Sequence, residues 1–107
     1  MLTFKNGTVC VGDIFVSSWG YEQTNVNFYQ VISVHGKKTV IVREICASVH
    51  FTGNMMGYKR PLLNDFRGEP LKRRVLDCYR VPVIVIEEFE IAYKTLPEEE
   101  HEFTLYS

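Results

Sequence analysis

Apolar and polar residues alternate with a period of two along much of this chain, and no window sustains the three-and-four spacing of a capped helix. The clearest stretch is 28–46. Phe28, Gln30, Ile32 and Val34 alternate with Tyr29, Val31, Ser33 and His35, Gly36-Lys37-Lys38 interrupts, and the β-branched run Thr39–Cys46 follows. Two such runs joined by a glycine-containing turn predict a β-hairpin. Upstream, Gly12-Asp13 predicts a turn opening a short strand through Ser17, and 18–27, polar with two large aromatics and a glycine, predicts a structured loop.

The middle of the chain is punctuated by Gly53, Gly57, Pro61, Gly68 and Pro70, which exclude a long helix over 47–80. The pattern there predicts loop, a short strand around Tyr58–Leu62, a turn at Asp65–Gly68 and a strand from Leu71 to Tyr79. Val83–Lys94 alternates again, with Glu87, Phe89, Ile91 and Tyr93 on one face and Glu88, Glu90, Ala92 and Lys94 on the other. Pro97 and its glutamates turn the chain into a terminal strand, Glu102–Tyr106. Short strands with turns every 8–12 residues predict an all-β fold with minor helix at most. The expected architecture is a small, strongly bent antiparallel barrel, Src-homology-3-like, of about six strands. One domain accounts for all 107 residues.

Composition fits a packed globule, with 46% apolar and 23% charged residues. The net charge of −1 is unevenly spread: residues 1–58 carry +1, 59–80 carry +4 and 81–107 carry −6. Any nucleic-acid contact must therefore be local, and the basic and acidic stretches can also face and neutralise one another. Cys10, Cys46 and Cys78 are odd in number and form no C-x-x-C pair, which predicts free thiols in a reducing compartment. The N-terminus has no signal-peptide pattern. The longest apolar run, Val81–Ile86, is six residues, too short to cross a bilayer. The expected setting is the cytoplasm, with no membrane contact.

Catalytic and metal chemistry find little support. Cys46 and His50 have a ligand-like spacing, but on a strand they lie about 13 Å apart, beyond a shared metal at roughly 2 Å bonds. No nucleophile elbow, phosphate-binding glycine loop or imidazole–carboxylate pattern accompanies His35, His50 or His101. The expectation is no enzyme, no metal and no cofactor.

Binding chemistry has more to work with. The segment 17–29 gathers Trp19, Tyr21, Phe28 and Tyr29 with Gln23, Thr24, Asn25 and Asn27. Aromatics offer stacking area and amides read hydrogen-bonding edges. The same residues can instead plug one end of the barrel. A second candidate is Lys72-Arg73-Arg74, flanked by Arg67 and Arg80; Lys72 and Arg74 share a strand face about 7 Å apart. Such a strand grips phosphates or an acidic surface, or simply guards a sheet edge. A third is the run of glutamates at 87, 88, 90, 98, 99, 100 and 102, either a solvated face or a mimic of nucleic acid.

The run Gly12-Asp13-Ile14 … Ser17-Ser18-Trp19-Gly20-Tyr21 … Gln23-Thr24-Asn25-Val26 … Phe28-Tyr29-Gln30-Val31 resembles a family of small uncharacterised proteins of bacteriophages and other bacterial mobile elements. Asp65-Phe66-Arg67-Gly68 before a basic strand is similar to a second, weaker motif of that family. The resemblance covers 12–46 well and the remainder thinly; Thr95-Leu96-Pro97-Glu98 stands where a Trp and a Gly are expected. It implies a mobile-element origin and no particular chemistry.

Together these readings predict a non-enzymatic phage or mobile-element binding protein in the bacterial host cytoplasm. Its expected partner is a host protein, including host-defence targets of the anti-CRISPR kind. Trp19, Tyr21, Gln23, Asn25 and Tyr29 would form an aromatic-polar patch, with Arg67, Lys72, Arg73 and Arg74 supplying charge. The alternative is a nucleic-acid-binding module using the same loop and basic strand.

Overall fold

The computed structural model describes residues 1–20 and 24–104. Over these residues the chain is all-β, without helix, as the period-two pattern requires. Ten strands are formed where about six were expected: β1 (Leu2–Phe4), β2 (Gly7–Val9), β3 (Ile14–Trp19), β4 (Asn25–His35), β5 (Thr39–Gly53), β6 (Met56–Phe66), β7 (Leu71–Arg74), β8 (Val83–Glu87), β9 (Glu90–Thr95) and β10 (His101–Thr104). The surplus comes from the β1–β2 hairpin, to which no element was assigned, and from Val83–Lys94, which is a hairpin rather than one strand.

β1 and β2 pair by themselves, and the other strands form one antiparallel sheet in the order β10-β6-β5-β4-β3-β9-β8, with β7 alongside the first half of β5. The expected 28–46 hairpin is the β4–β5 pair, and Gly36, at φ 58°, supplies the left-handed residue of its turn. The sheet bends until β7 approaches β8, but it does not close as a barrel. Among the described residues one backbone bridge, Leu76–Val83, spans that gap.

Both faces of the central strands are covered, which explains the unbroken apolar run Ile14-Phe15-Val16. On one face Phe15, Tyr29, Val31, Val40 and Val42 pack with Leu2, Val9, Val75, Ile84 and Ile86. On the other, Ile14, Val16, Val26, Phe28 and Ile45 pack with Phe103 of β10. The alternation of β3 and β4 thus feeds two clusters instead of one.

β5 is fifteen residues long, and its second half pairs with β6 as an arm that extends the breaker-rich stretch 47–57. Gly57 makes the arm possible. A Cβ there would collide with the His50 carbonyl oxygen and meet the Phe103 ring at 3.0 Å. The molecule measures 44 × 26 × 23 Å.

Candidate functional site

Trp19 ends β3 opposite Asn25, the first residue of β4. Its ring is half-buried, tilted against Phe89 of the β8–β9 turn at a centroid distance of 5.4 Å. Its Nε1 donates to the Asn27 side-chain oxygen at 3.0 Å, in the amide orientation that also lets Asn27 donate to Val26 O. Trp19 is therefore partly packed and partly available. Asn25 is half-buried beside it. Tyr21 and Gln23 lie outside the described residues.

Tyr29 is not part of an exposed patch. It is 4% exposed within the first cluster, and its hydroxyl donates to Glu90 Oε2 at 2.7 Å. Ser17 Oγ donates to the same oxygen at 2.5 Å. Glu90, expected on a solvated face, is buried as the acceptor that ties β3, β4 and β9 together. Burial, and the hydrogen bond to and charge of Glu90, push the Tyr29 phenol well above its ordinary value. Ser17, Tyr29 and Glu90 form a hydroxyl–carboxylate constellation, but all three are buried. They are arranged to brace strands.

The basic residues divide. Arg73 turns to the core side of β7 and donates from its guanidinium to Lys72 O at 2.8 Å and Ile86 O at 3.0 Å. It straps β7 to β8 across the gap that no ladder fills. Arg67 is exposed beyond β6, and its Nε lies 3.8 Å from Glu44 Oε2. Lys72 and Arg74 are exposed on the opposite face of β7 from Arg73.

The structure does not assemble these residues into one patch. Trp19 pairs with Asn25 at the start of β4, while Arg74 pairs with Thr39, which pairs with His35 at its end. Ten residues of strand separate the two levels, roughly 30 Å at 3.3 Å per residue. Mutual neutralisation of the basic and acidic stretches is also slight, with Arg60–Glu100, at 2.7 Å, the ion pair joining them among the described residues.

The arm carries a surface that the sequence reading missed. Val49, Phe51, Met55 and Met56 are exposed on it, Phe51 by 60%. Val49 and Phe51 continue the face of Ala47 and Ile45 outward from the second cluster, with Phe51 edge-on to Phe103 at 5.6 Å. Beneath them Lys59 Nζ sits 5.1 Å over the Phe103 ring, its pKa lowered mainly by burial. Alternation at 45, 47, 49 and 51 was the available signal, masked by the glycines that follow.

The opposite side of the arm has a groove of about 430 Å³ lined by Ser48, His50, Tyr58 and the Arg60–Glu100 pair, whose charges already satisfy each other. Between β9 and β10 the Thr95 hydroxyl bonds Glu99 Oε2 and His101 Nε2, both at 3.1 Å, which helps hold β10 over the second cluster. Burial lowers the His101 pKa, with Glu99 opposing. Among the described residues no three His, Cys, Asp or Glu side chains are grouped to hold a metal, and no helix is long and apolar enough to cross a membrane. Comparison with known protein families, curated proteins and solved structures gives no match.

Proposed function

We propose that this chain is a non-enzymatic binding protein of a phage or mobile element, acting in the bacterial cytoplasm by engaging and modulating a host protein, with host-defence components as the first class to test. One observation carries the reading: Val49 and Phe51 are exposed on one face of the β5–β6 arm, and Met55 and Met56 are exposed at its tip. Aromatic and methionine side chains concentrate in protein interfaces, and exposing them costs solubility unless a partner covers them. The origin rests on the resemblance of the 12–31 motif. The contact surface moves from the 17–29 loop to the arm, with the Trp19–Phe89 pair as a second aromatic contact at the other end of β3.

The test places a photo-crosslinking side chain at position 51, and in a second protein at position 38, in nuclease-treated host lysate. The expected result is one discrete host protein joined at 51 and absent at 38. Val49→Asp with Met55→Asp should abolish it while circular dichroism is unchanged. Aspartate tolerates the left-handed backbone of Met55, at φ 60°. No discrete product at 51, or equal products at both positions, would overturn the proposal.

A further inference from the structure

The face of the sheet around β7 carries basic side chains that no ion pair engages among the described residues. Lys72 and Arg74 project from it, and their register partners on β5 are Ile41 and Thr39. These in turn face Ser33 and His35 of β4. Lys37 and Lys38, in the β4–β5 turn, adjoin Thr39 and are exposed. Val75 N donates to Lys38 O at 2.7 Å, which fixes this turn against the end of β7.

Acids are missing from these elements. β4 and β7 contain no Asp or Glu, and Glu44, the acid of β5, is paired in register with Tyr29 on the core side. Asp13 is occupied by Lys94 at 3.3 Å. Among the described residues none of Lys37, Lys38, Lys72 and Arg74 lies within ion-pair distance of a carboxylate. Glu87 on the outward face of β8, and Glu69 and Asp77 on either side of β7, form no ion pair with these cations.

We infer that Lys37, Lys38, Lys72 and Arg74 form a contact site for the phosphate backbone of a nucleic-acid duplex, separate from the arm. The chemistry selects that ligand over the others. Three of the four cations are lysines, which are depleted in protein interfaces but suit phosphates as compact point charges. The stretch formed by residues 33–41 and 71–75 exposes no large apolar side chain, and Tyr79, Val81 and Val85 are exposed on the segments that follow it. It also lacks an exposed aromatic on which the bases of a single strand could stack. The proposed contact uses charge alone and does not involve the aromatic-polar loop. Binding through phosphates alone is weak, independent of sequence and steeply dependent on salt.

The experiment measures fluorescence anisotropy of a labelled DNA duplex of about 20 base pairs against the full chain at rising salt. Four phosphate contacts predict a log–log slope of about −3.5, a loss of affinity of roughly 100-fold between about 50 and 200 mM salt. Lys72→Ala with Arg74→Ala should halve the slope and cut that loss to roughly 10-fold. Lys37→Ala with Lys38→Ala, confined to a turn, should do the same if the four act as one site. Val49→Asp with Met55→Asp on the arm should leave the slope unchanged, which keeps this result distinct from the protein-partner reading. The inference is overturned by absence of binding at the lowest salt, or by an unchanged slope in either lysine-containing double variant. Tighter binding of a single strand than of the duplex, or competition by poly-glutamate as effective as by duplex, would also overturn it.

Discussion

Replacing Tyr29 by Phe removes one oxygen from the core, and the structure says how the result should depend on pH. At neutral pH the Tyr29 hydroxyl donates to Glu90 Oε2 at 2.7 Å inside a closed site. A hydrogen bond to a charged, buried acceptor contributes about 1.5–3 kcal/mol. Tyr29→Phe leaves Ser17 as the remaining hydroxyl on that oxygen, so it should destabilise the protein by this amount near pH 7. The phenol ionises far less readily folded than unfolded, where its value is 10.0, because a phenolate would be desolvated and would lose its bond to the carboxylate beside it. A folded-state pKa raised in this way gives stability that is whole below about pH 10 and declines above it, by about 1.4 kcal/mol per pH unit. Phe has no such dependence. The advantage of the native protein should therefore shrink above pH 10, and the two stability curves should cross at roughly pH 11–12. Urea unfolding of both proteins from about pH 7 to pH 12 measures the gap directly. Lys59, its pKa lowered chiefly by burial and further by Arg67, is present in both proteins and cancels in the difference. Parallel curves across the range, or no cost at pH 7, would refute the buried phenol–carboxylate bond.

Two other substitutions probe the architecture. Gly57→Ala sets a methyl group against the His50 carbonyl and the Phe103 ring, and should cost about 1–3 kcal/mol in urea unfolding, with amide exchange in β10 rising first. Arg73→Gln loses the strap to Ile86 O and should cost about 1–2 kcal/mol, whereas Arg74→Gln, exposed one residue on, should stay within about 0.5 kcal/mol; equal effects would show that Arg73 bridges nothing.

Much of the fold was legible wherever a strand's neighbours are close in sequence. The β4–β5 hairpin announces itself by alternation, a turn glycine and a second β-branched run. Of the 47–66 stretch only a short strand around Tyr58–Leu62 was legible, because Gly53 and Gly57 read locally as loop and Pro61 as a limit on strand length. Their reason lies elsewhere: Gly57 makes room for Phe103, and Pro61 sits opposite Ala47, next to a break in the β5–β6 register. The candidate site was legible in composition and not in arrangement. Trp19 and Asn25 do meet, whereas Tyr29 and Arg73 have partners inside the fold and Lys37 and Lys38 were read only as a turn.

What the sequence determined by itself is the class of structure. Side chains that alternate every second residue, interrupted by turn formers, can bury their apolar sets only as sheet. Which face each strand turns to solvent was decided by tertiary structure. Because both sides of β3 and β4 are covered, one alternating pattern fills two cores, and a glutamate in an acidic run becomes buried once Ser17, 73 residues away, and Tyr29, 61 residues away, point donors at it. By the same means two neighbouring arginines take opposite roles, since adjacent residues of a strand face opposite ways and β8 brings the Ile86 carbonyl within reach of Arg73. Local pattern specifies alternation, and the partners that give each face its chemistry arrive from distant parts of the chain.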